Sequence, residues 1–349
     1  MDKNDLNETE GKRKKLILKP SLTTPAFILV IYALLIGSRY IDKSALTYNG
    51  SIYLSLVILQ FIVLIIPAIF FCRLKGINYG SKLGMKLFSP GKLGFTLTAV
   101  LVMISGSTII RLAQVYIIKR QEFSFFLYDS YVPGNTDSIF NVLYIAIAFA
   151  VLPAITEEFV FRGIVLTEYN YGGYGSFCAA FMSAVMFAML HFSFSQFFIY
   201  LFCGIVLSFL VYNTQSVFPA MIAHMLYNLY GLFAESYIIK LLMRPSSIVF
   251  LIFFVVVVFL ICLAVLFGEA ERINFAYAVT GHPTPEYKLK RTDDGETPDI
   301  SSSTEEDNPD AVVKKESFGE SFRLILNAMF SPTFLMCVVV FTLVAIGLI

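Results

Sequence analysis

Charge is scarce in this chain. Asp, Glu, Lys and Arg make up 15% of its 349 residues, 57% are hydrophobic, and mean hydropathy is +0.74. Soluble domains carry roughly 25% charged residues and 45–50% apolar ones, so two ordinary soluble domains are excluded. The net charge is +1; no global basic field points to nucleic acid, which is not an expected partner. Cysteine is sparse too. Cys72, Cys178, Cys203, Cys262 and Cys337 each lie in or beside apolar runs, and none forms a CxxC pair. That argues against a disulfide framework or a zinc knuckle and for small packing residues. No HExxH motif is present, no GxSxG elbow surrounds Ser193 and Ser195 beside His191, and no 20–50-residue repeat is visible.

What remains is long apolar runs. A span needs about 20 apolar residues at 1.5 Å rise each. On that criterion the sequence predicts an all-α polytopic transmembrane bundle of about eight to nine spans, near 22–41, 52–72, 93–118, 139–169, 174–192, 196–213, 217–236, 246–267 and 325–349. Turn chemistry separates several of them, at Tyr171–Gly175, Asn213–Ser216 and Arg244–Ser247. Pro219 falls in the first turn of the seventh helix, where a missing N–H costs little.

Residues 1–21 are polar, with the basic run Lys12-Arg13-Lys14-Lys15, and lack the signs of a cleavable signal. The segment 73–92 holds Arg73, Lys75, Lys82, Lys86 and Lys92 and no acid. Under the positive-inside rule both regions are expected on the cytoplasmic side, as is the turn at 170–175. The expected organisation is a basic N-terminus (1–21), a bundle (22–267) with its functional core at 139–236, a disordered acidic linker (268–324) and a last helix (325–349).

Against that background a few ionisable residues stand out. A charged side chain at bilayer depth costs about 2.5–3.5 kcal/mol on insertion scales, so its default reading is functional. Three short strings carry them: Glu157-Glu158-Phe159-Val160-Phe161-Arg162, Phe187-Ala188-Met189-Leu190-His191 and His224-Met225-Leu226-Tyr227-Asn228. Each contains an i, i+4 pair (Glu158 and Arg162, Phe187 and His191, His224 and Asn228) that shares one helix face. Glu157 lies about 100° round from Glu158, so one carboxylate can be neutralised by Arg162 while the other faces a cavity. Counted from the turn at Gly172, Glu157 and His191 stand about 22 and 28 Å high, within about one helical turn of each other. His224 stands only about 10 Å above the 213–216 turn, so convergence needs tilt or a kink, for which Pro153 is the evident place. Glu168, Glu235, Lys240 and Arg244 lie near helix ends and read as interfacial.

This set suits hydrolysis. A carboxylate beside a histidine can take a proton from water and return it to a leaving amine, and a second histidine with an amide N–H can hold an oxyanion. Glu157, His191 and His224 also make a candidate set for a divalent metal such as zinc. A proton-coupled transporter could use the same intramembrane Glu, His and Arg, although no inverted repeat appears. A non-catalytic membrane scaffold or immunity protein would keep the bundle without needing both catalytic groups.

The ordered strings EExxxR, FxxxH and HxxxN resemble the CPBP family of intramembrane proteases, which includes type II CAAX prenyl endopeptidases and bacterial Abi proteins. The likeness covers about 139–236. It implies an endopeptidase acting on membrane-associated, CAAX-like peptide or protein substrates in a multi-pass protein of a bacterial plasma membrane, in contact with lipid. By carry-over, Glu157 and His191 would activate water, and His224 with Asn228 would hold the oxyanion. Glu158 and Arg162 would orient the site, with Phe187 beside them. Relatives are described both as metalloproteases and as metal-independent glutamate proteases, so the likeness leaves metal open.

Overall fold

The computed structural model describes residues 19–40, 53–76, 84–85, 88–118, 139–235, 237–238, 248–279 and 318–348. Among them the chain forms ten helices. They are α1 (Pro20–Ser38), α2 (53–75), α3 (Leu93–Ile118), α4 (139–171), α5 (Gly175–Leu190), α6 (Phe197–Thr214), α7 (Phe218–Phe233), α8 (Ile248–Val279), α9 (Phe318–Met329) and α10 (Pro332–Ala345). Six are long and apolar enough to cross a membrane, or seven if the bent pair α9–α10 is one span. The chain is an all-α integral membrane protein that spans the bilayer several times. Helices α5 and α7 are apolar but only 16 residues each, about 24 Å against a hydrocarbon core of about 30 Å. The run length in the sequence overstates both.

Charged contacts fix one end of the bundle. Lys75 Nζ meets Glu168 at 2.8 Å, tying the end of α2 to the end of α4. Lys92 Nζ donates to the Thr214 carbonyl at 3.0 Å, and Val217 N donates to Gly84 O at 3.0 Å. The start of α1 lies there as well, because a Cβ on Gly172 would run into Pro20. Lys75, Gly84, Lys92 and the turns after α4 and α6 therefore share one end of the molecule.

Close packing around α5 holds the core. In lipid, helices gain nothing from hiding apolar surface from one another, so small residues and polar contacts decide the interfaces. Gly204 of α6 illustrates this. A Cβ there would lie 2.9 Å from the Ala184 Cβ and 3.0 Å from its Cα. Ser183 Oγ donates to the Phe161 carbonyl at 2.8 Å and joins α5 to α4. Helix α7 packs along α3, α4 and α6, and α10 packs on α1.

Helix α4 is not regular. It contains π-helical turns at Ile147–Val151 and Phe159–Val165, one before Pro153 and one starting directly after Glu158. Proline removes a donor from the ladder, and a π turn (i→i+5) absorbs such a defect without a sharp break. The expected kink at Pro153 thus takes the form of a widened turn.

Two boundaries differ from expectation. Helix α8 continues 12 residues beyond Phe267, to Val279. Its polar end is held by Arg272 on Glu269 (2.6 Å) and by Asn274 Nδ2 on Asn213 Oδ1 (3.1 Å). An apolar-run criterion finds where lipid contact ends, not where the helix ends. The last segment is two helices bent by 67° at Phe330–Ser331, not one over 325–349. Ser331 caps the second helix, accepting from Phe334 N at 3.4 Å, with Pro332 in its first turn. Of the expected linker 268–324, residues 268–279 and 318–324 are helical. Residues 280–317 lie outside the described residues, as do Lys12–Lys15, Lys82, Lys86, Lys240 and the turn at Arg244–Ser247.

Candidate active site

Glu158 and Arg162, one turn apart on α4, have fully buried side chains with Arg162 Nη1 donating to Glu158 Oε1 at 2.8 Å. The second guanidinium nitrogen donates to the Gly204 carbonyl on α6 at 3.0 Å. This is why Gly204 matters twice: a Cβ there would also stand 3.3 Å from Arg162 Nη2. The guanidinium carbon sits 4.6 Å from the Phe187 ring centre, a cation–π contact with α5.

From the other side Glu158 Oε1 meets His224 Nδ1 at 2.9 Å. A carboxylate can only accept, so His224 carries its proton on Nδ1 and turns Nε2 the other way. That nitrogen lies 4.0 Å from Glu157 Oε2, an atom that is buried and makes no hydrogen bond to protein. Glu158 therefore holds Arg162 and His224 at once, while Glu157 remains uncommitted.

His191 closes α5. Its Nδ1 lies 3.0 Å from the Phe187 carbonyl; a carbonyl only accepts, so the hydrogen is on Nδ1 and Nε2 of the neutral ring keeps its lone pair. The ring stacks on Tyr200 of α6, with centroids 3.5 Å apart and planes at 14°. Phe187 sets its edge or face against both histidines, at 5.2 Å from His191 and 5.6 Å from His224. Phe192, next in the chain, has φ 47°, a left-handed conformation that costs a bulky residue about 1–3 kcal/mol. Tyr32 of α1 at 4.9 Å and the Arg39 guanidinium at 5.9 Å hold its ring. The turn that ends α5 at His191 is thereby fixed by α1.

A cavity of about 220 Å³ gathers these groups. Glu157, Phe187, His191, His224 and Asn228 line it; Glu158 and Arg162 do not, and form its buried backing. His224 reaches this level despite its low count of residues above the turn, because α7 packs directly along 147–158 of α4. The π turn at 159–165 works in the same direction, since it lowers the height gained per residue below Glu157. Ser193 and Ser195 bond to each other at 3.0 Å and are not among the lining residues.

The cavity also holds groups that the sequence reading passed over. Arg111 of α3 and Glu235, just after α7, line it as an ion pair at 2.9 Å, with side chains 11% and 8% exposed. Glu235 is thus a buried cavity residue rather than an interfacial one. The signal was available: Glu235 follows His224 by eleven residues, three helical turns, and shares its face. Tyr200 and Gln196 line the cavity as well, and the Gln196 Oε1 is buried without a partner.

As for metal, the proposed trio of Glu157, His191 and His224 does not form a ligand set in this arrangement. Among the described residues no group of three or more His, Cys, Asp or Glu side chains is placed to hold an ion. The Nδ1 bonds of His224 to Glu158 and of His191 to a carbonyl are of the kind a metal-bound imidazole also makes, so what is missing is the gathering of the two Nε2 atoms and a carboxylate around one point.

Comparison with known proteins agrees with this core. Residues 139–230 match the family model described as type II CAAX prenyl endopeptidase Rce1-like. No curated protein and no solved structure matches the chain. The matched segment runs from the start of α4 to Tyr230 of α7 and includes all three strings. Over that segment, about a quarter of the chain, the protein is similar to the type II CAAX prenyl endopeptidase Rce1-like family.

Proposed function

We propose that the protein hydrolyses a peptide bond of a membrane-associated substrate inside this cavity, with Glu157 as the base that activates water. The observation that carries the reading is the division of the two adjacent glutamates. Each glutamate has a buried Oε2 that bonds to no protein group, but Glu158 stands behind the cavity with its Oε1 held by Arg162 and His224, whereas Glu157 lines the cavity itself. A water held by Glu157 and His191 Nε2 loses its proton to the carboxylate as it attacks the scissile carbonyl. The oxyanion that forms is met by the Asn228 amide N–H and by His224, whose imidazolium form, balanced by Glu158, presents Nε2–H. Collapse of the tetrahedral intermediate breaks the C–N bond, and the proton held by Glu157 passes to the leaving amine. Gln196 Oε1 supplies an acceptor for a substrate backbone N–H.

Purified protein in detergent, given a fluorogenic lipidated peptide, should cleave it, and Glu157→Gln and His191→Ala should each lower kcat by about 10²–10⁴, the range for losing an acid–base group. Unchanged thermal unfolding of both variants separates chemistry from folding. Cleavage at the wild-type rate by either variant removes that residue from the mechanism. Because the donor set does not fit an ion, activity should survive EDTA or phenanthroline. Loss on chelation with recovery on adding zinc would replace this mechanism with a metal-dependent one.

A further inference from the structure

The turn between α5 and α6 carries His191 at its start and Gln196 at its end, and three other helices hold it. Tyr32 of α1 packs on Phe192 at 4.9 Å. Gln114 Nε2 of α3 donates to the Ser195 carbonyl at 2.6 Å. Phe194 lies edge to face against Phe341 of α10 with ring centres 5.0 Å apart, and Phe197, the first residue of α6, meets the same ring at 5.8 Å. We propose that Phe341 is a positioning residue for His191: by gripping both sides of this turn, α10 sets where the His191 imidazole stands in the cavity. The effect on catalysis rests on the protease reading; the effect on the ring does not.

Three observations converge on it. First, the turn is held in a conformation that it would not keep alone. Ser193 and Ser195 bond to each other at 3.0 Å, but Phe192 stands at φ 47°, and such strain persists only where the surroundings over-determine it. Second, α10 is docked on a fixed support. Pro25 has no N–H to give the Ser21 carbonyl four residues before it in α1. Thr333 Oγ1 donates to that carbonyl at 3.3 Å, and Cys337 Sγ donates to the Pro25 carbonyl at 3.3 Å. Thr333, Cys337 and Phe341 follow one another at i, i+4 and i+8 on one face, so these bonds place the buried Phe341 ring about 12 Å further along, beside the turn. Third, the grip reaches the imidazole itself. Phe197 precedes Tyr200 by three residues on the same face of α6, and Tyr200 stacks on the His191 ring with centres 3.5 Å apart.

The other side of His191 is fixed by α5, through its Nδ1 and the Phe187 carbonyl. A displaced turn therefore slides Tyr200 off the ring and swings the imidazole about its α5 anchor. Helix α10 lies outside the matched segment 139–230, so this part of the site comes from beyond the region that the family model covers.

The test uses the full chain in detergent with isotope-labelled histidine. The chain has three histidines, so substitution of each assigns its signal by NMR. Face-on stacking by Tyr200 should shield the His191 ring protons and set them upfield of the other two. Phe341→Ala should move that signal downfield and lower kcat on the fluorogenic lipidated peptide by about 10–10²-fold with KM little changed, the scale of a small misplacement at a reacting group. Phe194→Ala removes the same contact from the exposed side of the turn, where truncation disturbs packing less, and should do likewise. Val339→Ala, on the exposed face of α10, should change neither reading. A His191 signal or a kcat that stays at the wild-type value in both Phe341→Ala and Phe194→Ala overturns the proposal. A His191 signal that moves in these variants of a protein whose wild type cleaves nothing would leave the positioning role standing and count against the protease reading instead.

Discussion

At the scale of single residues, the adjacent glutamates 157 and 158 behave as different groups because 100° of helix rotation sends them to different surroundings. Glu158 is a positioning residue with two partners, and Arg162 is its counter-ion inside the bundle. Removing one member of a buried pair typically costs about 3–5 kcal/mol, because the other is left buried and uncompensated. Arg162→Ala should therefore lower the thermal unfolding midpoint by several degrees, whereas Glu157→Gln should leave it near wild type. Equal midpoints for both variants would contradict the division of labour between the glutamates. Asn228 differs again, since it acts only on the oxyanion. Asn228→Ala should lower kcat by about 10²–10³ with little change in KM, the effect of losing one oxyanion donor; a change confined to KM would make Asn228 a ground-state binding residue.

At the scale of elements, the site depends on how closely α6 approaches α5 and α4. Gly204 permits both contacts, and the carbonyl it offers to Arg162 exists only at that distance. Gly204→Ala should reduce stability and activity together, because its Cβ would stand 2.9 Å from the Ala184 Cβ and force the helices apart. A fully active and stable Gly204→Ala protein would show that the spacing is not needed. The π turn that begins at Phe159 belongs to the same argument. It interrupts α4 directly after the paired glutamates, where an ordinary helix would present the next residues at a different angle.

At the scale of the molecule, much of the fold was legible in the sequence because lipid imposes a length and forbids unpaired charge. The apolar runs located the helices, and basic Lys75 meets Glu168 at the end of α4. The three strings were legible for the same reason: at that depth Glu, Arg and His need partners, and the i, i+4 spacing named Arg162 for Glu158, although His224 is held by Glu158 on α4 rather than within its own string. Other features were not readable from hydrophobicity. Glu235 looked interfacial since it follows the apolar run, and only its register with His224 and its contact with Arg111 reveal a cavity residue. The polar continuation of α8 is helical because Glu269, Arg272 and Asn274 make their own contacts, which an apolar window does not count. Ser331-Pro332 is a start signal within an otherwise apolar stretch, which is why one expected helix is two. Convergence of His224 with Glu157 could not be computed from residue counts, because it depends on where α7 packs along α4.

The central claim is that one intramembrane cavity performs hydrolysis with Glu157. Its most direct test is mass spectrometry of a membrane-anchored peptide incubated with wild-type or Glu157→Gln protein reconstituted at equal amounts in proteoliposomes. The account expects a single internal cut by wild type and intact peptide with Glu157→Gln. The same product at the same rate from Glu157→Gln, or intact peptide with folded wild type, would contradict it.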